Sequence, residues 1–187
     1  MTFEIADLQR INLIGTSASG KSTLGRKLSD LLDSPYVEMD TLFHGPNWSQ
    51  APPEVFRARV ADAVNAPRWV LDGNYHKTSD LKWARATMII WLDIARLPNL
   101  YRAAKRAVHR SWTQTELWPG TGNRESFRQN FFSRDSMILW TATSHKQRRR
   151  LYSQIEQSPP DGVKFICLPN FRSIEQFLET VRATIDT

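Results

Sequence analysis

The chain has 187 residues, of which 41% are hydrophobic and 24% are charged, and its formal net charge at pH 7 is +6. This length predicts a single domain with a sizeable core. The sequence contains no apolar run approaching the ~18 residues of a membrane span. Its first seven residues carry acids and no basic residue, unlike a signal peptide, and its one cysteine, Cys167, excludes an internal disulfide. We therefore expect a cytoplasmic protein with no membrane partner, in which Cys167 packs in the core.

Short apolar segments alternate with helical patterns along the chain. The predicted strands are residues 10–14, 35–40, 69–71, 87–92 and 163–168. The predicted helices are residues 22–32, 53–64, 98–110, a region of about 126–157 with a break near Ser133, and 173–185, with Ser173 as the N-cap. Strands that alternate with helices pair in parallel through right-handed crossovers. The order therefore predicts an α/β fold in which helices cover both faces of a five-stranded parallel sheet.

The most informative motif lies between the first predicted strand and the helix that follows it. Its residues fit the pattern G-x-x-x-x-G-K-[ST] of the phosphate-binding loop, or P-loop: Gly15, Thr16, Ser17, Ala18, Ser19, Gly20, Lys21, Ser22 and Thr23. Backbone N–H groups of such a loop and the positive end of the helix dipole attract phosphate oxygens. Lys21 would contact the β and γ phosphates, and the Ser22 hydroxyl would bind Mg²⁺. The motif predicts a bound nucleoside triphosphate, and ATP is favoured because the guanine signature Asn-Lys-x-Asp is absent.

Two acids, Asp40 and Asp72, lie where the second and third predicted strands end. Ligands of parallel α/β sheets bind at the carboxyl ends of the strands, so both acids are expected near the P-loop. Asp72 matches the strand-end carboxylate that holds Mg²⁺ directly or through water, with a turn aspartate as the alternative. Asp40 would accept the proton of a substrate hydroxyl. Acceptor binding, contact with a Mg²⁺-bound water and a turn cap are the alternatives for Asp40.

Positive charge is concentrated in residues 96–150, which contain twelve Lys and Arg but three acids. Arg102, Arg106 and Arg110 are spaced i, i+4 and i+8, so they share one face of the predicted basic helix. We interpret this helix as a lid whose arginines bind the triphosphate and the transferring phosphoryl group, with a solvated charged face as the alternative. Further candidate arginines follow in the sequence: Arg124, Arg128 and Arg134.

Two stretches within this basic part have weaker patterns. Residues 112–130 show little core-forming periodicity and are predicted to form a mobile flap. The arginines of residues 147–150 are consecutive and point to different sides of a helix, which indicates surface charge.

The order of these motifs resembles the nucleotide-kinase-like P-loop family, which includes adenylate, shikimate and uridine kinases. Residues 39–48, 69–75 and 90–93 resemble, more narrowly, the small adenylate-kinase-related proteins of bacteria that are labelled DNA topology modulation proteins. The resemblance covers nearly the whole chain and implies a three-layer αβα P-loop NTPase fold. It implies one domain, residues 1–187, with a helical lid inserted at about residues 98–135. It also implies ATP and Mg²⁺ as ligands, and that Asn170 and Phe171 pack on the adenine base.

The chain departs from adenylate kinases at two places where those enzymes carry phosphate-binding arginines. Here those places hold residues 42–43 and 74–76, none of which is an arginine. A nucleoside monophosphate would lack its partners there, whereas a hydroxyl acceptor needs a base, and Asp40 is available. We predict an ATP-dependent phosphotransferase acting on a hydroxyl of a small molecule, with four catalytic residues: Lys21, Asp40, Arg102 and Arg106. A P-loop ATPase without an acceptor, or a protein directed at nucleic acid, remains the alternative, although nucleic acid is not the favoured partner.

Overall fold

A computed structural model of the protein describes residues 2–114, 116–118, 120–124 and 137–186, apart from the side chains of Arg96 and residues 137–146. The candidates Arg128 and Arg134, and the first part of the predicted 126–157 helix, lie outside these residues. None of the helices that the structure describes is both long enough and apolar enough to cross a membrane.

Five short strands form one sheet at the centre of the molecule. They are β1 (Arg10–Gly15), β2 (Tyr36–Glu38), β3 (Trp69–Asp72), β4 (Met88–Leu92) and β5 (Lys164–Leu168). The spatial order is β2-β3-β1-β4-β5, and every neighbouring pair is parallel. Buried residues fill β3 and β4 and all but the first position of β1, as is typical of strands covered on both faces. The predicted five-stranded parallel sheet is confirmed.

Helices connect the strands and lie on both faces of the sheet. They are α1 (Lys21–Leu32), α2 (Met39–Phe43), α3 (Pro53–Ala63), α4 (Ser79–Trp83), α5 (Arg96–Thr113), α6 (Met137–Gln157) and α7 (Phe171–Ile185). Short 3-10 helices occur at Ile5–Leu8, Pro46–Trp48 and His76–Thr78.

The apolar core has one half on each face of the sheet. On one face the strands pack against α1 and α7, through residues such as Leu28 and Phe177. On the other face they pack against α3 and α6, through residues such as Phe56 and Tyr152. Cys167 is partly buried against this second half, in agreement with its predicted packing role. The three-layer αβα arrangement is confirmed, and β1 brings the P-loop to the middle of the sheet.

The second strand is shorter than the sequence predicted. It ends at Glu38, and helix α2 follows at once, with Asp40 in its first turn. The hydroxyl of Thr41 donates to the carbonyl oxygen of Glu38 at 2.7 Å, which stabilises the change of direction. The prediction of a strand through residue 40 was wrong because this local bond and the burial of Met39 favour a helical turn.

The basic helix and the closing helix both begin earlier than predicted. Helix α5 begins at Arg96, so Pro98 occupies its third position, where an N–H has no intrahelical partner to lose. Helix α7 begins at Phe171, and its N-cap is Asn170, whose Oδ1 accepts from the Ser173 N–H at 2.8 Å. The prediction that Ser173 is the N-cap was wrong because its hydroxyl instead donates to the Asn170 carbonyl oxygen at 2.6 Å.

Candidate active site

The P-loop connects the end of β1 with the start of α1, and its two glycines are required by the backbone. Gly15 has a φ of +148°, and a Cβ there would lie 2.8 Å from the carbonyl oxygen of Leu92. Gly20, the residue before α1, has a φ of +101°. Side chains rarely tolerate these left-handed conformations. The sequence motif therefore corresponds to a real loop conformation.

Lys21 is the first residue of α1, and its side chain folds back over the loop. Its Nζ donates to the carbonyl oxygens of Gly15 at 3.2 Å and Thr16 at 3.0 Å. Burial lowers the pKa of Lys21, while the negative charges of Asp72 and Asp40 act to raise it. The structure thus brings the predicted triphosphate lysine within electrostatic range of both predicted acids.

Ser22 and Asp72, the two residues predicted to bind Mg²⁺, contact each other directly. Ser22 Oγ donates to Asp72 Oδ2 at 2.7 Å, and the Tyr36 hydroxyl donates to the same oxygen at 3.0 Å. Ser19 Oγ, buried in the loop, has no hydrogen-bond partner among the described residues, so the loop holds an unused polar atom. Hydroxyl and carboxylate oxygens are the hard ligands that Mg²⁺ prefers. These side chains therefore fit a triphosphate with its Mg²⁺ ion.

A metal ion held by protein side chains alone does not fit this site. Within the described ranges, no three or more His, Cys, Asp or Glu side chains are grouped so that they could hold a metal. Mg²⁺ in nucleotide sites takes one or two protein ligands and completes its shell with phosphate oxygens and water. Ser22 and Asp72 supply what such a shared site requires.

Asn74 and Lys82 hold the turn after β3 against the P-loop, and the sequence analysis missed both roles. Asn74 Oδ1 accepts from the Gly15 N–H at 2.9 Å, and its Nδ2 donates to the Gly15 carbonyl oxygen at 2.8 Å. Lys82 is wholly buried, and its Nζ donates to the carbonyl oxygens of Gly73 at 3.0 Å and Asn74 at 2.9 Å. Burial lowers the pKa of Lys82 to about 7. Lys82 supports the segment that positions Asp72.

Wild-type stability should rise with pH relative to a Lys82→Met variant. Below about pH 7 the lysine is protonated in both states, whereas between about 7 and its ordinary value of 10.5 the unfolded chain binds more protons. The free energy of unfolding of the wild type, minus that of Lys82→Met, should therefore increase across this range, by at most about 1.4 kcal/mol per pH unit. Urea unfolding at several pH values measures it, with exposed Lys77→Met as the control. A flat difference would contradict a buried, readily deprotonated Lys82.

Asp40 is held by a residue from the segment that follows β3. The Tyr75 hydroxyl donates to Asp40 Oδ1 at 2.6 Å. Burial, followed by the charge of Asp40, raises the pKa of Tyr75, so this hydroxyl stays protonated and keeps donating. Asp40 itself remains partly exposed. Tyr75 therefore orients the predicted base while leaving it accessible.

The segment of residues 116–124, described except for residue 119, packs on the loop of residues 44–48 beside Asp40. Trp118 stacks on His44, with ring centroids 5.0 Å apart and planes 9° apart, and its Nε1 donates to Glu38 Oε1 at 3.4 Å. Asn123 Oδ1 accepts from the Trp48 N–H at 2.8 Å, and its Nδ2 donates to the carbonyl oxygen of Gly45 at 2.9 Å. Trp118 is 8% and Asn123 is 1% exposed. These contacts hold this part of the predicted flap against the 44–48 loop, although no local sequence pattern marks them, and its mobility stays a prediction.

Helix α5 contacts both the P-loop and the start of α7. Arg106 Nη2 donates to Ser17 Oγ at 2.8 Å, and the buried Asn99 donates to Thr16 Oγ1 at 2.7 Å. The Arg102 guanidinium lies 4.5 Å from the ring centroid of Phe171. Arg106 therefore lies against the P-loop, whereas Arg102 lies against Phe171, which is predicted to pack on the adenine base. A phosphate role for Arg102 stays a prediction.

Arg148 is a second arginine that approaches the P-loop, and the sequence analysis assigned it to the surface. It is half-buried on α6, and burial lowers its pKa. Its charge and that of Arg106 both act to lower the pKa of Lys21. By contrast Arg149 is exposed and donates to Asp93 Oδ2 at 3.0 Å. The interpretation of residues 147–150 as surface charge was wrong for Arg148. A run of consecutive arginines does not show which side of the helix packs inward.

The comparisons with known proteins support the fold and nothing finer. No protein-family model matches the chain, and no curated protein matches it in sequence. Shikimate kinase from Bacteroides thetaiotaomicron superposes with a TM-score of 0.57 over 96% of this chain and 99% of its own, at 13% identity. Shikimate kinase from Acinetobacter baumannii, solved in complex with shikimate, gives 0.57 over 95% and 92%, at 15% identity. The predicted P-loop NTPase fold is confirmed by these similarities.

Proposed function

We propose that the protein is an ATP-dependent kinase that phosphorylates a hydroxyl group of a small molecule. The observation that carries the proposal is the placement of two carboxylates around one lysine. Asp72 is bound to Ser22, as a metal-linked acid would be, whereas Asp40 is bound to Tyr75 and also acts on Lys21. One acid is therefore assigned to the phosphates and the other to the acceptor.

The phosphate side would be formed by the P-loop and by groups from two helices. The loop N–H groups, Lys21 and Arg106 would bind the triphosphate, and Asn170 and Phe171 would contact the adenine base. Ser22 and Asp72 would hold Mg²⁺, which neutralises phosphate charge when bound. The bond between Arg106 and Ser17 supports this assignment, because it directs the α5 arginine to the loop.

The transfer itself requires one proton movement. The acceptor hydroxyl oxygen forms a bond to the γ phosphorus, its proton passes to a carboxylate oxygen of Asp40, and the bond from the γ phosphorus to the β–γ bridging oxygen breaks to release ADP. Lys21 and Arg106 would balance the negative charge on the transferring group. Tyr75 would keep Asp40 in place, since its hydroxyl holds the other carboxylate oxygen.

We also propose how the chain is organised and where the protein is located. We place the whole chain in one kinase domain, with residues about 98–135 as the lid, and the protein in the cytoplasm. Helix α5 contacts the P-loop, and residues 116–124 contact the 44–48 loop. These contacts support the proposal that the two segments cover the site. A cover that excludes water is needed because water competes with the acceptor for the phosphoryl group.

A protein directed at nucleic acid, such as the DNA topology modulation group that the sequence resembles, is the second candidate, and the basic segment favours it. Nucleic-acid binding needs positive side chains on an open face. Arg106 is bonded to Ser17, and Arg148 is half-buried close to Lys21. Because Arg106 contacts the P-loop and the charge of Arg148 acts on Lys21, the observations favour a triphosphate as the ligand of these two arginines.

ATP consumption with Mg²⁺ tests the proposal directly. It is measured without an acceptor, and then with nucleosides, sugars, small alcohols and short oligonucleotides. Stimulation by one small alcohol, with its phosphate ester detected by mass, is the expected result. Hydrolysis that is increased only by DNA or RNA would favour a protein directed at nucleic acid over a small-molecule kinase. Hydrolysis that no added compound increases would indicate an ATPase without an acceptor.

Replacing Arg148 with alanine should lower kcat/KM for ATP by about 10- to 100-fold, the range expected for removing one charge-assisted hydrogen bond to phosphate. Its charge acts on the P-loop lysine, so the decrease should appear in ATP binding and in transfer. Exposed Arg150 on the same helix provides the matched control, and Arg150→Ala should behave as the wild type. Equal kinetics of the two variants would show that Arg148 does not serve the phosphates.

A further inference from the structure

Building on the proposed kinase reaction, we propose that the acceptor is an alcohol without a carboxylate or phosphate group, which binds in neutral or positively charged form. Its binding surface would be the exposed ring of Trp48, supported by the rings of His44 and Trp118, and we call these three rings the ring wall. The charges around Asp40, the partners of the nearby basic side chains and the composition of this wall each support the inference.

The acceptor side already holds several carboxylates. Burial raises the pKa of Glu38, and the charges of Asp72 and Asp40 raise it further, so the three acids act on one another. Glu38 is also bound to Trp118 of the ring wall. An anionic acceptor would bring another negative charge among these acids, and like charges at close range disfavour binding.

Three basic side chains on this side of the site are engaged with other groups. Arg26 lies 3.6 Å from Glu38, and Arg59 donates to the Leu42 carbonyl oxygen at 2.9 Å. Lys82 is buried and bound to two backbone carbonyls. A buried acid group of a ligand needs a cation as its partner, and these three cations already have other partners.

The ring wall is suited to bind an uncharged or cationic part of the acceptor. The His44 and Trp118 rings are nearly parallel, the Trp48 ring lies 5.7 Å from Trp118, and Trp48 is 37% exposed. Burial lowers the pKa of His44, so its imidazole is neutral near neutral pH and offers no charge to an acid. Aromatic faces bind apolar rings and cations through their area and their quadrupole.

This inference separates the chain from a structural neighbour of the same fold. The Acinetobacter baumannii shikimate kinase was solved in complex with shikimate, which is a carboxylate. A similar sheet and P-loop would here serve an acceptor of the opposite or no charge, because the fold positions the phosphates and the loops select the acceptor.

The test compares alcohols in pairs that differ in charge: glucitol with gluconate, and the methyl ester of shikimate with shikimate. Nucleosides, aromatic alcohols and amino alcohols complete the panel, and each phosphate ester is detected by mass. The best substrate should be neutral or cationic, and its carboxylate analogue should have a kcat/KM lower by about 10²-fold or more. Preferred turnover of gluconate, shikimate or another acid would overturn the inference while confirming the kinase. No ester from any alcohol would instead refute the kinase reaction itself.

Substitution of Trp48 tests whether the ring wall binds the acceptor. Trp48→Ala should raise the KM for the best acceptor by up to about tenfold, the energy of an aromatic contact, with the KM for ATP unchanged. Val55→Ala, another exposed apolar residue, is the matched control. Unchanged acceptor KM in Trp48→Ala would remove this ring from the acceptor surface.

Discussion

Replacing Lys21 with alanine is expected to lower kcat/KM for phosphoryl transfer by about 10³-fold or more, at the upper end of the effect of one charge-stabilising group. The Lys21 ammonium donates to two carbonyl oxygens of the loop and is acted on by the charges of Asp72 and Asp40, so alanine removes the positive charge that the P-loop itself supplies. The fold should persist, because the substitution removes two bonds to loop carbonyls and leaves the apolar core intact. Steady-state kinetics and thermal unfolding measure the two effects.

The control for this variant is Lys27→Ala on the same helix, since Lys27 is exposed. It should have wild-type kinetics and a similar melting temperature. Transfer by Lys21→Ala at a rate near that of the wild type would show that the P-loop does not bind the reacting triphosphate.

Replacing Asp40 with asparagine is expected to lower kcat by about 10²-fold or more, the usual contribution of a general base. Asparagine keeps the shape and the bond from Tyr75 but cannot take the acceptor proton. The KM for ATP should stay unchanged because Ser22 and Asp72, which contact each other, are the residues proposed to hold the Mg²⁺ of the triphosphate, and Asp40 is not. Kinetics with the acceptor and with ATP separate these quantities.

Exposed Asp62→Asn on α3 is the matched control and should behave as the wild type. A weakened binding of ATP with kcat retained would assign Asp40 to the metal or to the structure instead.

The fold could be predicted from the sequence because its signals are local. Buried strands are short apolar runs, and the P-loop glycines require backbone conformations that glycine alone adopts readily. The pairing of Ser22 with Asp72 followed from the rule that ligands meet at strand ends. The first two inferences used residues within one element or one connection, and the third added only the rule about strand ends.

The remaining parts of the candidate site depend on contacts between distant residues. Asn123 is bound to Trp48 although 75 positions separate them, and no periodicity marks either residue. Lys82 occupies a short helix with an ordinary pattern, and only the fold shows that its ammonium is buried. Arg148 lies among consecutive arginines, so its inward orientation depends on how α6 packs. Tertiary placement, rather than composition, determines these roles.

The central claim is that the γ-phosphoryl group of ATP moves to an alcohol oxygen, and an isotope measurement tests it most directly. ATP labelled with ¹⁸O at every γ oxygen is incubated with Mg²⁺, the protein and the best acceptor, and the products are analysed by mass. The account predicts a phosphate ester with labelled non-bridging oxygens and an unlabelled bridging oxygen, absent with the Lys21→Ala variant. Inorganic phosphate carrying one solvent oxygen, with no ester, would contradict the account and leave hydrolysis as the reaction.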